Sequence, residues 1–228
     1  MQLPPTEPAT DTPAGPEPEP EPEPAAGRVY GGLSPQQRRE GRRRRLLDAA
    51  LELFAAQGYA ATSIERVCST AGVTTRTLYE EFASREGLLA ALFDETSALA
   101  IRAVEAALAD APAGFQARVE AALDAFIRTV LADPRRARIE YLQVGGISPE
   151  LERHRLSVMT ALVDLTRQEL ETAAAAGLVA QRAHHWTAVG AVGAANQMIY
   201  EWVREGIDEP IDVLIAEVSR VFTATIAG

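Results

Sequence analysis

The chain has 228 residues, 47% of them apolar, and one cysteine, Cys68. That supports a sizeable core in one or two domains, while a lone thiol excludes an intrachain disulfide and cannot by itself build a zinc or iron–sulfur centre. The net charge of −10 argues against a polyanionic partner only until its distribution is read. Residues 1–27 hold six acids and no base, residues 28–87 ten arginines against seven acids, and residues 88–228 twelve arginines against nineteen acids. Positive charge is local, and local charge is what a polyanion meets.

In chain order, residues 1–27 are low in complexity, with Glu and Pro alternating from Glu17 to Pro24. Proline removes amide donors and glutamates repel one another, so this arm is expected to be disordered, solvated and acidic. It lacks the basic and apolar regions of a leader peptide. Trp186–Tyr200 is the longest near-apolar run, too short for a membrane span and interrupted by Asn196 and Gln197. A cytoplasmic protein is expected.

Beyond residue 40 the periodicity is helical throughout, with no strand signal and no repeat. Leu46, Leu47, Ala50, Leu51 and Phe54 make one apolar stripe, stopped by Gly58. Thr62 followed by Glu65 fits a capping box for a second helix. Ala71-Gly72-Val73 is a sharp break, and a short third helix is predicted from Thr74 to Phe82. Ser84 caps a long fourth helix to about Ala109. Pro112 and Gly114 precede a fifth, from Phe115 to about Ala132, and Asp133-Pro134 a sixth, from Arg135 to Val144. Ser148-Pro149-Glu150 starts a seventh, ending before Gly177. The eighth is predicted over Gln181–Glu205 and the ninth over Pro210–Ala227.

The second and third helices, joined by a glycine turn, read as a helix-turn-helix. Ile64, Val67 and Cys68 would be buried in its first helix, Cys68 as a small hydrophobe. Its second helix would present Thr74, Thr75, Arg76, Thr77 and Tyr79 where a recognition helix meets base edges. Arginine can bridge guanine O6 and N7, and threonine methyls can touch thymine. Arg38, Arg39 and Arg42 to Arg45 are placed just before the first helix, within reach of phosphates or a minor groove.

In order and spacing, Leu46-Leu47-Asp48-Ala49-Ala50, Leu53-Phe54, Gly58, Thr62-Ser63, Ala71-Gly72-Val73, Thr77-Leu78-Tyr79, Phe82 and Ser84-Arg85-Glu86 resemble the DNA-binding domain of the tetracycline-repressor (TetR) family. The resemblance covers Arg44 to Leu89. It implies that Thr62, Tyr79 and Arg85 contact phosphates and that Thr74 to Thr77 face bases. Arg85 stands where the family often has lysine, and Arg76 where many members have glycine. With Arg43, Arg44 and Ser63, these form the candidate DNA-binding set.

The resemblance also implies a dimer built from the last two helices. The sequence permits one: Gly190, Ala191, Ala194 and Ala195 make a smooth face, and Ile211, Leu214, Val218, Val221 and Thr225 an apolar stripe. Intramolecular core is the competing reading of that stripe. A ligand cavity among the fourth to eighth helices would draw on Phe93, Phe126, Tyr141, Met159, Val163, Thr166, Asn196 and Gln197. His154, His184 and His185 lack metal-ligand spacing and are expected at the surface or an interface.

The expected fold is all-α with about nine helices. It would comprise an acidic arm and basic linker (1–40), a three-helix helix-turn-helix domain (41–88), and a helical ligand-binding and dimerisation domain (89–228). The expected function is a dimeric repressor that leaves a palindromic operator when a small molecule binds. It would need no cofactor or metal, contact no membrane, and do no catalysis, since no nucleophile–base set or phosphate loop is present. The competing function is a dimeric protein-interaction module with a vestigial DNA reader.

Overall fold

The computed structural model describes residues 34–112, 114–181 and 184–227. The expected acidic arm lies outside them. Among the described residues there are nine α-helices and no strand: α1 Pro35–Gln57, α2 Ile64–Ala71, α3 Thr75–Phe82, α4 Arg85–Asp110, α5 Phe115–Leu131, α6 Pro134–Arg138, α7 Pro149–Ala175, α8 His185–Glu205 and α9 Ile211–Ala227. A π-helical turn, Ile139–Gln143, continues α6. The chain divides into residues 1–38 and residues 39–228.

In the first unit Ser34 and Gln37 form a reciprocal capping box. The Ser34 amide donates to Gln37 Oε1 at 2.7 Å, and the Gln37 amide to Ser34 Oγ at 3.1 Å. Helix α1 therefore begins at Pro35, inside the stretch expected to be a linker, and the arginines expected to precede it lie within it. Their turns carry no apolar periodicity, but arginine and glutamine are good helix formers.

In the second unit the stops and starts have local causes. Gly58 (φ 87°), Gly72 (φ 63°), Gly177 (φ 73°) and Gly206 (φ 62°) follow helix ends in the left-handed region. Ser84 Oγ accepts from the Gly87 amide, Ser148 Oγ from the Leu151 amide, and Asp133 Oδ1 from the Arg135 amide. Two expectations shift. The N-cap of α2 is Ser63, whose Oγ accepts from the Arg66 amide at 3.2 Å, and not Thr62. Helix α8 starts at His185, four residues later than expected.

One core cluster joins α1–α4 to Ile139, Val144 and Leu151, and includes the fully buried Leu46, Phe54, Leu78 and Leu88. Each such side chain contributes roughly 1.5–3 kcal/mol. The second cluster gathers Ile127, Leu170, Ala191, Ile199, Leu214, Val218 and Phe222 from α5, α7, α8 and α9. Leu214 and Val218 of the α9 stripe are thus intramolecular core. Helix α4 belongs to the first cluster, packs along α5, and passes unbroken through residue 88. No helix among the described residues is long and apolar enough to cross a membrane.

Candidate functional site

The helix-turn-helix is built from α2 and α3. The Gly72 and Val73 amides turn back to the Ser69 and Cys68 carbonyls at 3.3 and 3.0 Å, closing α2 in a Schellman-type corner. Thr74 then caps α3, its Oγ1 accepting from the Thr77 amide at 3.2 Å and lying 3.0 Å from Thr77 Oγ1. Val67, Cys68, Leu78 and Phe82 pack inward. Burial, with Glu65 adding to it, pushes the Cys68 thiol above its ordinary range, as suits a small hydrophobe.

Thr74, Thr75 and Arg76 are exposed, Tyr79 is 51% exposed, and Thr77 is half-buried. Arg76 Nε donates to Glu80 Oε1 at 2.8 Å along the outer face of α3. Ser63 is exposed at the start of α2. These six residues lie on α3 or cap α2 and α3.

Three other expected contacts are placed differently. Thr62 is 0% exposed; its hydroxyl donates to the Gly58 carbonyl at 2.8 Å and accepts from Gln57 Nε2 at 3.2 Å. Its side chain is structural here, not presented to solvent. Arg85 donates to the Thr62 carbonyl at 2.5 Å and stacks over the Tyr59 ring at 4.3 Å, fastening the start of α4 to the α1–α2 turn. Arg44 is held by Asp48 and Glu95.

The remaining α1 arginines are braces as well as charge. Arg45 donates to the Ala71 carbonyl at 3.1 Å and Arg43 to the Glu81 carbonyl at 3.2 Å, each cation at a helix C-terminus. Arg43 also stacks on Phe82 at 4.3 Å. Arg39 and Arg42 face Glu81, whose side chain is only 5% exposed. Glu81 lay unnoticed in the sequence because nothing local marks a pairing 42 residues away.

The second site is a partly open cleft among α4, α5, the π turn, α7 and α8. A cavity of about 570 Å³ is lined from α4 by Phe93, Ser97, Ala100 and Ile101, from the π turn by Glu140 and Tyr141, from α7 by Glu152, Arg155 and Met159, and from α8 by Asn196, Gln197 and Tyr200. Beside it, a space of about 100 Å³ runs among apolar side chains of α4, α5, α7, α8 and α9, including Leu108, Val119, Leu165, Val192 and Phe222. Phe126, Met159, Leu162 and Asn196 line both. The larger chamber is bordered by Gly145 and Gly146, beside which a Cβ would meet nothing.

Seven of the eight expected cavity residues line one space or the other. Val163 lines neither; it packs against the second core cluster. The α7 lining face runs through Met159, Leu162, Thr166 and Glu169, and the residue after Leu162 is rotated about 100° off that line.

Sequence reasoning missed the polar groups. The one local signal at Glu140 is an acid between Ile139 and Tyr141-Leu142. Arg155 pairs with Glu152 at 3.1 and 2.6 Å, and Arg118 with Glu169 at 3.0 and 2.9 Å. Only the first pair has a visible helical spacing. Burial pushes the Glu140 carboxyl up to about 8, opposed by the Ser97 hydrogen bond and aided by Asp94. Burial, then Glu140, raises Tyr141 above its ordinary range.

The histidines divide. His154 pairs with Asp94 at 2.5 Å, and His185 lies edge-on to the exposed Trp186. His184 is only 2% exposed, with neither ring nitrogen partnered among the described residues, so the expectation of a surface or interface residue fails there. No group of metal-holding side chains occurs among the described residues.

An exposed helix-turn-helix on an all-helical body with a cavity among its later helices defines a DNA-binding transcriptional regulator. Residues 46–92 match the model of bacterial regulatory proteins of the TetR family, which supports a regulator of that family. It is 28% identical over 178 residues to the HTH-type transcriptional activator FasR of Mycolicibacterium smegmatis, covering 76% of this chain and 77% of that protein. Its fold is similar to that of the fatty acid degradation regulator FadR of Bacillus halodurans, with TM-score 0.72 and 19% identity over 79% of this chain and 94% of that one. It is also similar to Bacillus subtilis FadR in complex with stearoyl-CoA, with TM-score 0.68 and 18% identity over 81% and 98%.

Proposed function

We propose that the protein is a cytoplasmic homodimeric repressor that binds a palindromic operator and is released by a fatty-acyl thioester. In this reading residues 41–88 form the reader and residues 89–228 the effector and dimerisation part. The carrying observation is the pair of adjoining spaces, a polar-edged chamber of about 570 Å³ and an apolar space that shares Phe126, Met159, Leu162 and Asn196 with it. That volume lies within the range of small-molecule sites, and the stearoyl-CoA held by Bacillus subtilis FadR supplies the ligand class. Repression needs only occupancy of the DNA, whereas activation needs a further contact with polymerase. The M. smegmatis relative is named an activator, so reporter output with the regulator present and absent decides the sign.

The dimer would use the outer faces of α8 and α9. Trp186 (78% exposed), Gly190, Gly193 and Ala194 of α8, with Val213 and Ala216 of α9, remain outside the intramolecular core. Light scattering at micromolar concentration should give twice the 24.5 kDa chain mass. A Cβ at Gly193 meets nothing within 4 Å, so Gly193→Arg should give a folded monomer.

Arg43, Ser63, Thr74, Thr75, Arg76, Thr77 and Tyr79 would carry the DNA contacts. Arg85, Arg44 and Thr62 would act through the reader's shape. Selection from a random DNA library should enrich a symmetric site whose binding palmitoyl-CoA weakens. Failure to enrich one at modest salt would remove the regulator reading. Enrichment with no response to palmitoyl-CoA would remove only the effector.

A further inference from the structure

The chamber contains a carboxyl group without a settled partner. Glu140 sits on the π turn, and such turns recur at functional sites. Its Oε1 accepts from Ser97 Oγ at 3.2 Å, while its Oε2 is buried with no hydrogen-bond partner among the described residues. Buried polar atoms in folded proteins are nearly always paired, so an orphan beside a cavity marks a place for a ligand atom.

The charges around both spaces decide what that atom can be. Arg155, the cation lining the larger chamber, is already forked to Glu152, and Arg118, the cation lining the apolar space, to Glu169. Each also meets its neutralising carboxylate inside the same lining. A buried carboxylate ligand would find no uncompensated cation, and burying an unpaired charge is costly. A neutral polar group meets no such penalty.

We propose that Glu140 binds the uncharged polar head of an acyl ligand, donating its carboxyl proton to the carbonyl oxygen of an ester or thioester, and that the chamber thereby rejects the free fatty acid. This rests on the acyl-effector reading and adds the group that recognises the head. Burial holds the Glu140 carboxyl up to about 8, so it is a donor at neutral pH and an anion above that value. The other charged or titratable groups facing it are Asp94 of α4, Tyr141 of its own turn, Glu152 and Arg155 of α7, and Tyr200 of α8; His154 is tied to Asp94. Ligand affinity should therefore fall as pH rises past about 8.

The test is equilibrium binding of dodecanoyl-CoA, monododecanoyl glycerol and dodecanoate to the full chain, from pH 6 to pH 9, with Glu140→Gln and Glu140→Leu alongside. Both esters should bind at least about tenfold more tightly than dodecanoate at pH 7. Glu140→Gln keeps a donor that cannot ionise, so it should bind nearly as well and lose the pH dependence. Glu140→Leu, checked for fold by circular dichroism, should lose about tenfold for the esters. Binding of the CoA ester alone would mean that the coenzyme and not the carbonyl is read, and would overturn the proposal. Equal binding of dodecanoate, parent-like binding by Glu140→Leu, or a pH dependence that survives in Glu140→Gln would also overturn it. Absence of binding by all three probes would instead bring down the acyl-effector reading beneath it.

Discussion

Gly87→Ala tests whether the α3–α4 corner holds the recognition helix. Gly87 is the third residue of α4, and a Cβ there would stand 2.2 Å from the Phe82 carbonyl oxygen, 3.3 Å from its carbon and 3.4 Å from Ser84 Oγ. An unstrained carbon–oxygen contact is about 3.3 Å or longer, so α3 and α4 must separate by roughly 1 Å. The obstacle is backbone, which cannot rotate away. Overpacking of this kind costs about 1–3 kcal/mol, which in a domain of this size lowers the melting temperature by roughly 2–12 °C. The separation starts at the C-terminus of α3, so Tyr79 and Thr77 leave their places on the surface. Losing one good DNA contact of about 1–3 kcal/mol would weaken operator binding roughly 5- to 150-fold. Ala83, at φ 60° in the same corner, is the one described non-glycine residue with positive φ. Ala83→Gly should act oppositely on stability, raising it if relief of strain outweighs the added freedom of the unfolded chain. Differential scanning fluorimetry and a DNA titration of both variants check this. Unchanged melting and unchanged DNA affinity in Gly87→Ala would refute the reasoning.

Thr62→Val keeps shape but removes the hydroxyl that donates to Gly58 and accepts from Gln57. It should cost about 1–2 kcal/mol of stability and leave the salt dependence of DNA binding unchanged, whereas a phosphate contact would make that dependence shallower. Glu140 should make stability depend on pH. Its carboxyl ionises near 4.5 ordinarily and near 8 in the fold. Between those values the folded chain holds a proton that the unfolded chain has released. Stability should therefore fall as pH rises through that window and level off above 8, by up to a few kcal/mol. Thermal melts of Glu140→Gln should lack that component. Gln143→Ala strips the Tyr59 amide of its acceptor at 3.0 Å. It should cost about 1–3 kcal/mol and alter DNA affinity while leaving dodecanoyl-CoA affinity closer to the parent value.

What the sequence disclosed and what it hid divide along physical lines. Glycines 58, 72 and 177 were legible as helix ends because the left-handed backbone they adopt excludes most other residues. Ser84 and Ser148 were legible because a cap is a local event. The start of α1 was not, since its first turns are polar and periodicity reports only a buried face. The α9 stripe showed which side is apolar, yet periodicity is silent on whether the same chain or a second copy covers it; Leu214 and Val218 turned out to be covered from within. The π turn slips the helical hydrogen-bond register without changing the apolar pattern, so residues 135–144 read as plain helix. Of the cavity, its apolar walls were foreseeable from helix faces. The Arg118–Glu169 pair, 51 residues apart, was not.

The same turn offers a physical route between cavity and reader. Glu140 and Tyr141 line the larger chamber, while Ile139 and Val144, on either side, belong to the core that α1–α4 share. Gln143 holds the amide of Tyr59 in the α1–α2 turn, and Ser148 donates to Glu86 in the first turn of α4. Those two anchors flank α2 and α3 in the chain. A ligand can shift the reader only by the difference in its affinity for two arrangements of such an element, and couplings between sites are typically about 1–3 kcal/mol. One hydrogen bond made or lost in a partly buried place is worth about 1 kcal/mol. A displacement of the π turn that loosens the grip of Gln143 on Tyr59, or of Ser148 on Glu86, is therefore of the right size. No large rearrangement of the helices is needed to match it.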